Sequence, residues 1–492
     1  MSSCILLLRG INMNYGMIKY IVGRMLLMEG VLLLIPAFVS LLYQESSGVS
    51  FLIVIAVLAL LSLLLSKKPE DTSLYAKEGF VIVALAWVLW SAFGALPFVI
   101  SGCIPQYYDA FFEIVSGFTT TGSTVLTDIE ALPMGMNFWR CFTHWIGGMG
   151  VLVFVMTILP LSSKNSMFLM KAEMPGPTCD KLVPKARSTA RILYGMYIAL
   201  SLMEVIFLLA GGMNLYDALV HTFSTAGTGG FDNRNANVAF YDSAYIDGVI
   251  TVFMLLFGVN FSLYYLLLLK EFKSVFKSEE LRTYLGIVAA SIALITVNIM
   301  HIYGTALKAF RYAAFQVASV ITTTGFVTAN FDAWPEFSKT ILLIIMAIGA
   351  CAGSTGGGIK VSRIIILAQT VTKEVRQVLH PKSVNVVKLD GKRLTEENTR
   401  GVYVYMICYV AILAFSVLLI SVDNFDFTTN FTAVLTTLNN VGPGLGGVGP
   451  VQNFSLYSCF SKLVLSMDML LGRLEILPLL MLLAPQTWRK RF

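Results

Sequence analysis

Four short stretches of Thr, Asn and Gly recur along the chain: Thr119-Thr120-Thr121-Gly122, Thr225-Ala226-Gly227-Thr228-Gly229-Gly230-Phe231, Thr322-Thr323-Thr324-Gly325-Phe326 and Asn439-Asn440-Val441-Gly442-Pro443. They lie roughly 100 residues apart, each after a short apolar segment and before a long one, and such a period marks one structural unit used several times. The chemistry these loops offer is cation coordination. A cation leaves water only if oxygens replace its hydration shell, and backbone carbonyls and Thr hydroxyls supply them. The candidate donors are Thr120, Thr121 and Gly122; Thr228, Gly229 and Gly230; Thr323, Thr324 and Gly325; and Asn440, Val441 and Gly442. Glycine takes up at least cost the torsions that turn carbonyls inward. A short helix before each loop would aim its negative C-terminal end at the ion. The four loops hold no carboxylate. Oxygen dipoles alone suit a weakly hydrated monovalent cation better than calcium or magnesium.

The elements around these loops read as membrane spans. The 492 residues are 56% hydrophobic and 13% charged, with a mean hydropathy of +0.75 and a net charge of +6. A soluble chain carries about 25% charged residues. A transmembrane helix needs about 20 apolar residues. Ten stretches qualify: 20–42, 48–66, 79–101, 137–161, 189–211, 244–270, 281–304, 335–370 (interrupted), 400–422 and 456–484. Between members of the last eight lie segments too short to cross, at 105–118, 214–225, 306–321 and 427–438. A short apolar segment with a Gly turn fits a re-entrant helix, which membranes tolerate only inside protein or beside a watery cavity. The expected fold class is an all-α membrane protein. Four membrane–pore-loop–membrane repeats (79–188, 189–280, 281–399 and 400–492) surround a central pore, and residues 1–78 add two N-terminal transmembrane helices.

Lys and Arg set the orientation. They cluster after each copy, at 164–191, 270–282 and 373–400, and in the tail Arg489–Arg491, while Gly102–Asn137 has neither. Both termini and the basic loops are therefore expected in the cytoplasm, with the Thr/Gly loops opening outward. Lys308 and Arg311 do not fit this rule. The seven Cys and four His are scattered without ligand spacing, and read as packing residues. Residues 1–15 lack a leading charge and a cleavage site and make a poor signal peptide; a start at Met13 or Met17 stays open. Gly442–Gly447 spells G-x-G-x-x-G but lacks the strand and βαβ unit that dinucleotide binding needs. His-Glu-x-x-His and Gly-x-Ser-x-Gly are absent, so no enzyme, organic cofactor or nucleic-acid partner is expected.

Two features could obstruct a pore. The stretch 349–358 puts Gly349, Gly353, Gly356, Gly357 and Gly358 in the middle of a span, which disfavours helix and reads either as a packing kink or as a mobile gate. Arg473 sits mid-span near Glu475. A charge at that depth is a functional candidate by default, here a barrier to cations, with an ion pair to Glu475 or Asp468 as the plainer reading. Lys360 and Arg363, just after the Gly-rich stretch, are expected to face the cytoplasm.

At these residues the chain resembles the Trk/Ktr/HKT superfamily of potassium uptake proteins, over nearly its whole length. The two extra N-terminal helices make it most similar to the bacterial TrkH type. The resemblance implies filter glycines at Gly122, Gly230, Gly325 and Gly442, an interrupting loop at 349–358 and a constriction arginine at Arg473. Gly230 is preferred because Phe231 then matches Phe326; Gly229 is the other option. Gly122, where some members have Ser, implies potassium over sodium. The resemblance also implies uptake across a bacterial inner membrane, a homodimer with one pore per chain, and a cytoplasmic nucleotide-binding regulatory subunit of the TrkA type. Lipid is the surrounding partner, potassium the transported ion, and 161–191 and 371–400 are candidate docking surfaces. The alternative is a cation-coupled symporter driven by protons or sodium, or a less selective potassium and sodium transporter.

Overall fold

The computed structural model describes residues 13–71, 74, 76–150, 186–382 and 386–488. The end of the expected span 137–161, the basic residues Lys164, Lys171, Lys181 and Lys185, and the tail Arg489–Arg491 lie outside the described residues. Among the described residues, six helices are long and apolar enough to cross a membrane, and the bent pair Ala244–Phe257 and Phe261–Leu268 makes a seventh.

Tyr15–Leu42 and Gly48–Leu65 pack closely because small residues let them approach. A methyl on Gly23 would meet Leu65 Cβ at 2.8 Å, and one on Gly30 would meet Leu58 Cβ at 3.6 Å. Gly48 faces Ser40 in the same antiparallel register. In membranes, where lipid is as apolar as leucine, such close fit drives association.

The rest of the chain repeats one pattern. A long helix leads to a short one, then to an irregular loop, then to another helix. The leading helices are Ala76–Gly94, Ala186–Ala210, Glu279–Tyr303 and Glu396–Ile420. The short helices are Tyr107–Phe118, Leu215–Gly227, Ala306–Ile321 and Phe427–Asn439, within two residues of the short segments read from sequence. Side chains of Asn214, Thr305 and Asp426 cap the last three by accepting from backbone N–H groups of the first turn. The C-terminal halves are buried on all sides, as at Ala313–Ile321. The short helices therefore point their C-terminal ends into the interior.

The structure departs from the expected spans in three places. Span 244–270 is broken and bent by 91°. The Gly-rich loop docks there: Cys351 N donates to Gly258 O at 3.1 Å, Thr355 Oγ1 to Phe257 O at 3.2 Å, and Phe261 N to Gly353 O at 3.0 Å. The break thus satisfies the very backbone groups it exposes. Span 456–484 splits into Cys459–Arg473 and Leu477–Leu483, with Glu475 and Ile476 at φ 55° and 68° and Pro478 opening the second piece. The all-α expectation also misses one hairpin, Lys388–Leu389 with Lys392–Arg393, whose Asp390-Gly391 turn has both φ values positive. Arg311, which did not fit the orientation rule, donates from Nε to Asp247 Oδ2 at 2.8 Å across two repeats.

Helix contacts made through glycine give a test. A methyl on Gly147 would strike the backbone carbonyl of Phe118, while one on Gly195 meets nothing within 4 Å. Gly147→Ala is expected to destabilise the detergent-solubilised protein by about 1–3 kcal/mol. Gly195→Ala is expected to be neutral, and thermal melts of the two variants check the contrast.

Candidate ion-conduction site

Each short helix ends in the same way. The residue after its last turn is left-handed: Thr120 at φ 55°, Thr228 at 56°, Thr323 at 60° and Asn440 at 55°. The next amide reaches back five residues: Thr121 N to Ser116 O, Gly229 N to Ser224 O and Thr324 N to Ser319 O at 2.8 Å each, and Val441 N to Thr436 O at 2.9 Å. These are Schellman caps, which favour Gly at the left-handed position. Three of the four carry β-branched Thr there, a conformation costing about 1–3 kcal/mol per residue and found mainly at functional sites. Gly122, Gly230 and Gly325 come two residues later at φ 80°, 76° and 82°. That register pairs Gly230, not Gly229, with Gly122 and Gly325. Gly442 stands in the same place but is not left-handed. Left-handed residues at alternate positions turn successive carbonyls to one side of the chain.

The four loops meet in cyclic order. A methyl on Gly122 would strike Gly229 O, and one on Gly230 would strike Thr324 O. One on Gly325 would lie 2.9 Å from Gly442 N, and one on Gly442 would lie 3.1 Å from Gly122 O. First touches second, second third, third fourth and fourth first. Side chains reinforce the closing joint: Ser123 Oγ donates to Gly442 O at 3.2 Å, and Asn440 Nδ2 to Thr121 Oγ1 at 3.0 Å. All four glycines line one cavity of about 450 Å³. At its rim Asn235 Nδ2 donates to Asp128 Oδ1 at 2.8 Å, a bond that holds the Asp128 carboxyl below its usual range and keeps it charged.

Beneath the ring the interior is filled. Gly349, Gly353 and Gly358 are all left-handed, so the Gly-rich stretch folds back on itself. Gly357 N donates to Thr323 Oγ1 at 2.7 Å, and a methyl on Gly356 would lie 2.9 Å from Thr322 O. Arg473 donates to three main-chain oxygens: Thr355 O at 2.8 Å, Gly147 O at 2.6 Å and Gly148 O at 2.7 Å. It joins the fourth repeat to the Gly-rich loop and to the first repeat. A cavity of about 60 Å³ separates these groups, lined by Arg473, Lys360, Glu475, Gly356 and Gly357 among others.

Several charges sit elsewhere than the sequence indicated. Glu475 pairs with Arg363 at 2.5 Å, and Asp468 accepts from Ser416 Oγ at 2.7 Å, so each of the two carboxylates expected to pair with Arg473 is held by another group. Lys360 and Arg363, expected in the cytoplasm, are 3% and 5% exposed; Lys360 Nζ donates to Gly356 O. Sequence reasoning missed Glu280, whose Oε1 accepts from Ala352 N at 2.7 Å and Ser362 N at 3.1 Å, pinning both ends of the Gly-rich loop. It also missed the buried pair Glu113 and Arg140. The signal for that pair was an acid and a base each within an apolar segment, whereas Glu280 lies in the charged run Lys277–Arg282 and carried none. His144 and His221 are packing residues with polar ties: His144 stacks on Phe231 at 4.2 Å, and His221 Nε2 lies 3.2 Å from Asp232 Oδ1.

Many apolar spans around buried, irregular, oxygen-rich loops define a multi-pass membrane transport protein. The family model described as "TrkH: Cation transport protein" matches residues 47–490. The chain is 37% identical over 486 residues to the Trk system potassium uptake protein TrkH of Escherichia coli (strain K12), covering 97% of this chain and 100% of that one. It is 31% identical over 478 residues to TrkG of the same strain, covering 96% and 98%. Among solved structures, the potassium transporter TrkH from Vibrio parahaemolyticus matches with a TM-score of 0.87 at 34% identity, covering 97% of this chain and 100% of that one. The chain belongs to the TrkH family of cation transport proteins, a family of transporters and not of enzymes.

Thr323 offers a local test. In Thr323→Val the buried Gly357 N–H loses its acceptor, which costs about 1–3 kcal/mol. Amides of 353–358 are expected to exchange with deuterium faster than in the wild type while the helices stay protected.

Proposed function

We infer that the chain takes up potassium across a bacterial inner membrane through a filter built from its four Thr/Gly loops. The cyclic contact of Gly122, Gly230, Gly325 and Gly442 carries this reading. Thr120, Thr121, Thr228, Gly229, Thr323, Thr324, Asn440 and Val441 contribute the remaining oxygens. One cation sheds its water among these dipoles, helped by the negative ends of four short helices. The names of the relatives, potassium uptake proteins and a potassium transporter, supply the ion.

Below the filter, the loop 349–358 and Arg473 form the gate. The guanidinium repels a cation leaving the ring, and the loop narrows the path. Opening requires Thr355 O, Gly147 O and Gly148 O to part from Arg473, and the Thr323–Gly357 bond to yield. Positive-inside charge puts both termini in the cytoplasm. Exposed spans such as Gly48–Leu65 face lipid or a second copy in a homodimer. A TrkA-type nucleotide-binding subunit would dock on the basic cytoplasmic loops, because this chain shows no nucleotide fold of its own among the described residues. A coupled symporter is the second reading, favoured by the broken helices at 257–261, 348–361 and 473–477. Potassium flux in vesicles that lack proton and sodium gradients would exclude obligatory coupling.

The deciding experiment is growth of a potassium-uptake-deficient bacterium at low potassium. The wild type should rescue growth. Gly122→Ser, whose side chain would meet Gly229 O, should raise the potassium required by about tenfold, the equivalent of 1.4 kcal/mol. No rescue by the wild type, supplied with its regulatory subunit, would reject the reading. For the gate, Arg473→Ala should raise potassium flux about fivefold or more by removing a charge from the path. Unchanged flux in a well-folded variant would retire the electrostatic barrier.

A further inference from the structure

In every quarter of the ring, a side chain on the short helix reaches the segment that leaves the loop. Glu113 Oε2 accepts from Val125 N at 2.9 Å, and its carboxylate accepts from Thr124 Oγ1 at 2.9 and 3.1 Å. His221 Nε2 lies 3.2 Å from Asp232 Oδ1, and Gln316 Nε2 donates to Thr328 Oγ1 at 3.4 Å. Thr432 Oγ1 donates to Leu445 O at 3.2 Å and accepts from Leu445 N at 3.1 Å. Counted back from the left-handed residues Thr120, Thr228 and Thr323, the positions of Glu113, His221 and Gln316 are equivalent.

The first quarter adds something more. Arg140 Nε donates to Glu113 Oε1 at 2.5 Å, and its Nη1 donates to Asp232 O at 3.0 Å. The guanidinium also lies 3.5 Å from the Phe231 ring centre. Phe231 and Asp232 directly succeed the second-loop glycine, and Thr124 and Val125 come soon after the first. One buried guanidinium therefore ties the outgoing arm of loop one to that of loop two. Glu113 is 0% and Arg140 is 1% exposed. A buried pair with its remaining valences filled is rigid, since moving either partner strands the other.

We propose that Glu113 and Arg140 are a positioning pair that fixes the spacing between the first and second loops and thereby the ring's preference for potassium over the smaller sodium ion. The proposal rests on the reading of these loops as a filter. An oxygen ring discriminates cations by how closely and how freely its oxygens approach. At the first joint the backbones touch where Gly122 meets Gly229 O, and the strut joins Thr124 and Val125 to Asp232, two or three residues beyond that contact on each arm. Glu113 also cancels the charge of Arg140, which borders the outer cavity and alone would repel the ion.

The test uses the full-length chain in vesicles with opposed potassium and sodium gradients, comparing the wild type with Arg140→Lys, Glu113→Gln and Thr124→Val. Lysine keeps the charge but lacks the planar fork that spans Glu113 and Asp232 O. Arg140→Lys and Glu113→Gln should each lower the potassium-to-sodium permeability ratio by about three- to tenfold, the scale of one lost hydrogen bond of ordinary strength. Thr124→Val should lower it less, in the same direction. A ratio unchanged per folded molecule, even with a lower melting temperature, marks a merely structural pair and overturns the proposal. If the two charge variants fail to fold, an unchanged ratio in Thr124→Val overturns it alone. Wild-type vesicles without potassium flux overturn the filter reading, and the proposal with it.

Discussion

Main-chain oxygens and amides at membrane depth must find partners within the protein, because lipid offers none. Four short helices stop inside this molecule, and each stop leaves carbonyls without an intrahelical bond. The Schellman caps satisfy some of them by bending the chain into a left-handed residue. Beyond each cap the chain leaves the helix and passes through a glycine. Such a segment can be buried only against others of its kind, which is why the glycines of neighbouring loops lie in contact. A methyl at any of the four would push the backbones apart. The strain of Thr120, Thr228 and Thr323 is held in place by that same packing. The packing brings main-chain oxygens of all four loops together in one place.

The same constraint governs the lower half. Breaking the helix at Phe257 and Gly258 frees carbonyls, and the Gly-rich loop brings amides to meet them. Breaking the helix after Ile348 produces that loop, and Glu280 collects two of its amides. Arg473 satisfies three further carbonyls. Placing a guanidinium in the interior is costly unless its donors are occupied, and here the occupying groups are the ends of other breaks. Arg473 therefore counts as a lock as much as a charge. Its bonds fasten the first, third and fourth repeats together.

Much of this was legible in the sequence, for a physical reason. The short helices could be placed within two residues, because a short apolar run between Gly turns has few other solutions in lipid. The four glycines were also marked by their repeat, and three of them are left-handed, but the left-handed Thr120, Thr228, Thr323 and Asn440 before them were not. The pairing of charges could not be read. Glu475 lies two residues from Arg473 but turns to Arg363, because the helix ends between them and Glu475 is itself left-handed. Lys360 looked like a cytoplasmic flank, yet the loop before it doubles back and buries it. The break at 258–260 left little trace, since Gly258 and Asn260 are mild signals and the loop that stabilises it comes about 90 residues later. Contacts distant in sequence decide such points, and periodicity carries no information about them.

A single chain can treat its four loops differently, which four identical subunits cannot, and the differences form a gradient around the ring. The third loop is bonded to the Gly-rich segment through Thr323. The fourth packs on that segment at Asn439 and Asn440, and its Gly442 has given up the left-handed torsion. The first and second instead share the buried Arg140 and its partners. The third and fourth loops are thus tied to the Gly-rich segment, and the first and second are tied to each other through buried charged groups. The Gly-rich segment bears directly on the third and fourth loops and reaches the first repeat through Arg473.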